Sequence, residues 1–152
     1  MKFTRQNIRN DKRLLLLAAI GFLSMFAVIV IKGFLRDWHL HLSPIGIFLQ
    51  GTLPNFFAGT GICAMFFSVL KNNFGINTIK SIIYAFLITF FGLTFWELLQ
   101  YLIWAYPVDI YDIMMSFIGC VLIVILVLIL YRKECATLPT CSKLPKNNRV
   151  IE

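Results

Sequence analysis

Apolar runs with few charges divide the chain into four long segments. They cover residues 14–35, 45–70, 79–104 and 110–131, and shorter polar stretches separate them. A helix needs about 20 mostly apolar residues to cross about 30 Å of hydrocarbon. The pattern therefore predicts an all-α integral membrane protein, a four-helix bundle that occupies residues 1–132.

The composition also indicates an integral membrane protein, and the two ends of the chain can be interpreted from their own residues. Hydrophobic residues make up 59% of the chain and charged residues 14%, which argues against a soluble globular domain. The first apolar run is too long for the core of a cleaved signal peptide and no A-x-A site follows it, so we expect it to remain as a span. Residues 133–152 carry Pro139, Pro145 and scattered charges, which favours a flexible tail.

The distribution of basic residues predicts the orientation. Of the fourteen Lys and Arg residues, only Lys32 and Arg36 lie toward the side opposite the two termini. Loops rich in Lys and Arg stay in the cytoplasm. We therefore predict that both termini are cytoplasmic (N-in, C-in), that residues 133–152 form a cytoplasmic tail, and that the turns at 36–44 and 105–109 are external.

The net charge of +7 has the same origin. The basic residues lie on short flanks beside the spans and form no folded basic surface. We therefore expect membrane lipids as partners, with the basic flanks near anionic headgroups, and no binding of nucleic acid.

Neither a cofactor nor a metal is predicted. The chain has no dinucleotide or phosphate-binding motif, and its cysteines and two histidines lack the spacing of a metal site. We expect Cys63 and Cys120 to pack as small hydrophobic residues inside the spans, and His39 and His41 to lie in a solvated external loop. Tyr131, at the end of the last run, is expected at the membrane interface, where amphipathic rings are favoured.

Glu97 is the most informative polar residue, because it lies inside the third span. About seven residues separate it from the outer end, which is roughly 10 Å at the helical rise. A carboxylate at that depth costs several kcal/mol unless it is protonated, paired or hydrated. Thr94, Gln100 and Tyr101 share its helical face. We therefore expect Glu97 to point into the bundle or into a wet cavity.

The fourth and second spans supply matching polar residues. Asp109, Asp112, Ser116 and Gly119 form one stripe on the fourth span, and the short turn before it makes the third and fourth spans antiparallel neighbours. Asn55 lies in the outer half of the second span beside Pro54. Because the third and fourth spans are antiparallel neighbours, Glu97 and Asp112 should lie at similar depth.

These residues predict an acidic pocket that opens to the outside. Two neighbouring carboxyl groups in a low dielectric favour a shared proton or a bound cation. The alternative is that the polar side chains only hold the helices together by interhelical hydrogen bonds. The expected ligand-binding residues are Asn55, Glu97, Gln100, Asp109, Asp112 and Ser116, and the candidates for catalysis are Glu97 and Asp112.

The same residues resemble the signature of VanZ-like membrane proteins. That signature is roughly E-x-x-Q, an external turn, then [F/V]-D-x-x-D-[I/L], followed by a small or amide residue and Gly. The matching segments are Trp96-Glu97-Leu98-Leu99-Gln100, Val108-Asp109-Ile110-Tyr111-Asp112-Ile113, Ser116 and Gly119. Many members carry Arg just before the first Asp of the turn, whereas the approach here is Ala105-Tyr106-Pro107-Val108. Many carry Asn where Ser116 stands, and the Asp-Lys-x-x-His element of their second span is missing.

The resemblance implies a multi-pass protein of the bacterial inner (cytoplasmic) membrane with a role in the cell envelope. The family is named for a protein associated with low-level resistance to the glycopeptide antibiotic teicoplanin. We expect a pocket that binds an envelope lipid or amphiphile. Three alternatives stay open: a membrane-embedded enzyme that uses Glu97 and Asp112 as acid and base on a lipid-linked substrate, a proton-coupled transporter that works as a homo-oligomer, and an accessory subunit.

Overall fold

A computed structural model describes residues 11–35, 43–105 and 107–136 of the chain, and every regular element in these ranges is helical. The elements are α1 (Lys12–Val30), a π-helical turn (Ile31–Leu35), α2 (Pro44–Phe74), α3 (Thr78–Trp104), α4 (Ile110–Leu130) and α5 (Arg132–Ala136). Four of these helices are long and apolar enough to cross a membrane. The predictions of an all-helical chain and of four candidate membrane-spanning helices are therefore confirmed.

Capping residues determine where the long helices begin. Asp11, Ser43, Asn77 and Asp109 each accept a hydrogen bond from a backbone N–H in the first turn of the helix that follows. Such side chains satisfy amide groups that have no partner within the helix. Helix α2 continues past the predicted residue 70 and ends only at Gly75, whose φ of +60° is the left-handed conformation typical of a helix end.

Helix α2 lies at the centre of the bundle and contacts each of the other three long helices. It approaches α1 closely at Gly21 and Gly61, where a Cβ on either residue would lie 3.1–3.2 Å from the carbonyl oxygen of the other. It approaches α4 at Gly59 and Gly119, where a Cβ would overlap backbone atoms of the facing helix. Small residues thus bring three helices close together, as is usual for helix pairs in membranes.

The hydrophobic core occupies only one half of the bundle. Its buried members come from the first turns of α1 and α3 and from the later turns of α2 and α4. They are Leu14, Leu17, Cys63, Ala64, Phe67, Ile82, Ala85, Cys120, Ile123, Val127 and Tyr131. In the other half, α1 has no buried residue after Ser24 and α3 has none after Thr89. The bundle is therefore tightly packed at one end and loosely packed at the other.

The packed end, here called the basic end, is closed by a cluster around Tyr131. The Tyr131 hydroxyl donates a hydrogen bond of 3.0 Å to the Asp11 carboxylate. The Arg13 guanidinium lies 4.3 Å from the centre of the Tyr131 ring and the Lys71 ammonium 4.5 Å from it. A ring that two cations contact in this way is stabilised by cation–π attraction. This ring is fully buried among the described helices. The placement of Tyr131 at the membrane interface stays a prediction.

Glu134 of α5 joins the remaining helices to this cluster. Its carboxylate accepts hydrogen bonds from Arg13 of α1 (3.0 Å), Lys71 of α2 (2.7 Å) and Thr78 of α3 (2.8 Å). All four long helices therefore meet through side chains at the basic end. We call this cluster the latch; it consists of Asp11, Arg13, Lys71, Thr78, Tyr131 and Glu134.

Several predicted features lie outside the described residues. They are the basic flank at 1–10, the external loop at 36–42 with His39 and His41, and the tail beyond residue 136. The start of the predicted tail, in contrast, is described, and it forms the short helix α5.

Candidate functional site

The loosely packed end of the bundle carries the acidic residues, and we call it the acidic end. Glu97 on α3 and Asp112 on α4 are both partly buried, and the charge of Asp112 acts on the Glu97 carboxyl. Asp109, the capping residue of α4, interacts with both. Two helices therefore direct three carboxyl groups toward the same region.

An aromatic layer lies on the inner side of these carboxyl groups. The Phe117 ring of α4 packs edge-on against Phe86 (5.8 Å between centres) and Phe90 (5.5 Å) of α3. Asp112 precedes Phe117 by five residues and Glu97 follows Phe90 by seven, so both lie roughly 8–10 Å farther toward the acidic end. The two acids therefore lie at similar depth, beyond the aromatic contact between α3 and α4.

Asn55 of α2 belongs to the same region. Its side-chain amide interacts with the Asp112 carboxyl, so α2 contributes a polar group between the acid and the packed interior. The Asn55 backbone carbonyl accepts a hydrogen bond of 3.4 Å from the Ser116 hydroxyl, which links α4 to α2. Ser116 is buried beside Gly59. Its position is that of a helix–helix contact, which is the alternative role considered for this residue.

Gln100 and Asp109 lie nearer the rim. The Gln100 amide lies 3.5 Å from Glu97 Oε1, a long hydrogen bond within one face of α3. Asp109 is exposed and its carboxylate accepts the Tyr111 backbone N–H at 2.8 Å, so it also serves as the helix cap. Tyr101, which shares the helical face of Glu97 in the sequence pattern, is 54% exposed and contributes little to the interior.

A cation approaches this region from the first helix. Lys32 lies in the π-helical turn that follows α1, and its ammonium interacts electrostatically with both Glu97 and Asp112. π-helical turns are rare overall, and those that occur often lie at functional sites. From the sequence, Lys32 and Arg36 are the basic candidates to neutralise these acids, and Arg36 lies outside the described residues. The π-helical turn that carries Lys32 has no clear signature in a single sequence.

The arrangement has a definite chemical capacity. Neighbouring carboxyl groups at the end of apolar helices can share a proton or bind a cationic group, and Asn55 adds an amide that can donate or accept a hydrogen bond. Within the described ranges, no group of three or more His, Cys, Asp and Glu residues is arranged to hold a metal ion. One further polar atom, the buried Thr94 Oγ1 one turn before Glu97, has no hydrogen-bond partner among the residues described.

The latch at the basic end is the largest polar cluster that sequence reasoning missed. Its hydrogen bonds join residues up to 121 positions apart in the chain, so no local pattern connects them. The available signal was the position of two acids, Asp11 and Glu134, among basic residues directly beside the first and last spans.

Comparison with known proteins adds no relative. No family model, no curated protein and no solved structure matches the chain. Its function is therefore inferred from its own residues at the two ends of the bundle.

Proposed function

We propose that the chain is a VanZ-like protein of the bacterial inner membrane that binds the cationic group of an envelope lipid or amphiphile between Glu97 and Asp112. In this role it acts in envelope homeostasis or in susceptibility to glycopeptides of the teicoplanin type. Both termini are cytoplasmic in this proposal, so the acidic end faces outward.

The observation that carries the proposal is the approach of two carboxyl groups from different helices. Glu97 and Asp112 interact at the end of the bundle where α1 and α3 have no buried residues. Two acids that only held helices together would be a costly choice, because isolated carboxylates inside a membrane are strongly disfavoured. A cationic group would relieve their repulsion, and the apolar flanks of the helices would accommodate an acyl chain.

Two further features support the proposal. The residues concerned are those of the signature E-x-x-Q, turn, D-x-x-D, which resembles that of VanZ-like proteins. The basic residues at the other end of the bundle, among them Arg13, Lys71 and Lys80, favour a cytoplasmic location for that end.

The test is complementation of a deletion strain. Wild type should restore teicoplanin susceptibility to its original level, whereas Glu97→Gln and Asp112→Asn should fail while inserting at normal levels. Tyr101→Phe is the control, because Tyr101 lies on α3 one turn from Glu97 and its side chain is 54% exposed. If both inner variants complement as well as the control, the pocket has no role in susceptibility.

A lipid analysis separates binding from catalysis. The proposal predicts that the lipid profile, measured by mass spectrometry, is the same in strains that carry wild type and Glu97→Gln. A product that disappears in the Glu97→Gln strain would instead favour an enzyme with Glu97 and Asp112 as acid and base. Flux that depends on the proton gradient and is lost with an ionophore would favour a transporter.

A further inference from the structure

A cavity lies at the basic end, far from Glu97 and Asp112. It is a groove of about 290 Å³ between the start of α1 and the end of α2, open to the outside of the bundle. The residues that line it are Asp11, Leu14, Leu15, Ala18, Ser68, Val69, Asn72 and Asn73. Gly21 and Gly61 hold the two helices close together. The groove lies between that contact and the basic end of the bundle.

The groove changes from apolar to polar along its length. Its inner part is formed by Leu15, Ala18 and Val69, and its outer part by Asp11, Asn72 and Asn73. Ala18 follows Asp11 by seven residues, so the change takes place over roughly 10 Å along the helix axis. Leu15 is 74% exposed and Val69 44% exposed, so the apolar part is open sideways to the hydrocarbon that surrounds a membrane-spanning helix. This order of surfaces matches an acyl chain followed by a headgroup.

The charges around the groove decide which headgroup fits. The carboxylates of Asp11 and Glu134 face Arg13 and Lys71 within the latch, so these four charges balance. The Asp11 carboxylate already accepts hydrogen bonds from Arg13 and Tyr131. Among the described residues, a headgroup with a net negative charge would therefore gain little there beyond the neighbouring exposed Lys12.

The Asn72 amide donates a hydrogen bond to the Asn73 side-chain oxygen (3.2 Å). The remaining donors and acceptors of the two amides suit a headgroup that both donates and accepts hydrogen bonds. An Asn side chain offers N–H donors for phosphate oxygens and a carbonyl acceptor for an ammonium N–H. We propose that this groove binds one zwitterionic glycerophospholipid with a primary ammonium headgroup, of the phosphatidylethanolamine type, in the leaflet at the basic end. This site is separate from the acidic pocket, and the proposal does not depend on the function proposed for Glu97 and Asp112.

The experiment measures lipid retention by the purified full-length chain. Native mass spectrometry is carried out in detergent with phosphatidylethanolamine, phosphatidylcholine or phosphatidylglycerol of identical acyl chains. We expect one molecule of phosphatidylethanolamine to be retained roughly fivefold better than phosphatidylcholine, whose quaternary ammonium has no N–H to donate, since one hydrogen bond is worth about 1 kcal/mol. Equal retention of these two lipids, or stronger retention of phosphatidylglycerol, would overturn the proposal.

Two variants locate the lipid on the protein. Ala18→Phe fills the apolar part of the groove and should abolish the preference. Ala19→Phe, the neighbouring exposed position outside the groove, is its matched control and should retain it. The double variant Asn72→Ala/Asn73→Ala tests the polar part without filling the groove and should also lose the preference. A preference that survives both Ala18→Phe and the double variant would place the lipid elsewhere and refute the assignment.

Discussion

The hydroxyl of Tyr131 donates a hydrogen bond to the carboxylate of Asp11, joining the end of α4 to the start of α1. The same Tyr131 ring packs edge-on against Phe67 of α2, with 5.7 Å between ring centres. The Tyr131 side chain therefore connects the polar latch with the hydrophobic core. Its loss should affect the stability of the bundle and leave the distant acidic end intact.

Tyr131→Phe removes this hydrogen bond and keeps the ring. We expect the free energy of unfolding to fall by about 0.5–1.5 kcal/mol, the usual net contribution of one hydrogen bond. Denaturation of the purified protein in detergent would measure it. Tyr84→Phe is the control, since Tyr84 is 49% exposed and should tolerate the change. Equal effects of the two substitutions would mean that the Tyr131 bond contributes nothing specific.

The latch also predicts a dependence of stability on pH. Burial raises the pKa of Glu134, but hydrogen bonds from Lys71 and Thr78 outweigh it and hold the pKa below its ordinary value of 4.5. The pKa of Asp11 is likewise held below its ordinary 3.8, because hydrogen bonds from Arg13 and Tyr131 outweigh the effect of burial. Because both folded-state values are lowered, the ionised acids stabilise the fold above these ordinary values, and the contribution is lost as the pH falls below about 4.5.

Thermal unfolding between pH 7 and pH 3 would measure this loss. The midpoint of wild type should be constant near neutral pH and decrease in the acid range. Glu134→Gln should unfold at lower temperature at pH 7 and show a smaller further decrease toward pH 3. Parallel curves for the two proteins would exclude Glu134 as a source of the acid sensitivity.

The contact between α2 and α4 can be tested at one glycine. A Cβ at Gly119 would overlap the carbonyl oxygen of Phe56 and lie 2.9 Å from Thr60 Oγ1. Gly119→Ala should therefore separate the helices and destabilise the bundle by about 1–3 kcal/mol. Gly92→Ala in α3 is the matched control, because no atom lies within 4 Å of its Cβ position. There the higher helix propensity of Ala should leave stability unchanged or raise it by up to about 1 kcal/mol. Similar losses at both positions would contradict the close contact.

The four spans could be predicted because a helix that crosses the hydrocarbon core needs a long run of residues without charges. The relative depth of Glu97 and Asp112 followed from the helical repeat and the short connection between α3 and α4. The central position of α2 could not be derived in this way, because spans that are apolar on all sides do not reveal which face packs. Gly59 and Gly119 mark the contact in the structure, yet Gly92 also lies inside an apolar run and faces open space.

The polar contacts, too, could be predicted only in part from the sequence. Ser116 lies on the predicted stripe with Asp112, but its hydroxyl bonds to the Asn55 carbonyl inside a helix contact. A stripe identifies a shared face and does not distinguish a ligand site from a packed interface. Tyr131 was assigned to the membrane interface because aromatic rings are common at span ends. Its burial depends on Asp11 and Lys71, residues remote in sequence that no local pattern connects with it.

The proposed orientation gives a labelling prediction. A chain with Cys135 and Cys141 replaced by Ser keeps only Cys63 and Cys120, both fully buried. In intact cells a membrane-impermeant maleimide should label Val108→Cys, in the turn at the acidic end, and should label Lys80→Cys only after lysis. The reverse pattern would place the acidic end in the cytoplasm and refute a pocket that faces outward.

The last prediction concerns the charge balance at the acidic end. Lys32 is exposed but interacts with Glu97 and Asp112, so Lys32→Gln leaves the two acids without that cation. The single substitution should lower stability, and adding Glu97→Gln should restore part of the loss because fewer negative charges then need compensation. Since the ammonium is exposed, we expect a coupling free energy of only about 0.2–1 kcal/mol in a double-mutant cycle. Lys12→Gln, at the other end of α1, should show no coupling with Glu97→Gln. Additive effects for Lys32 as well would mean that its approach to the acids has no energetic consequence, and the pocket would then carry its negative charge uncompensated.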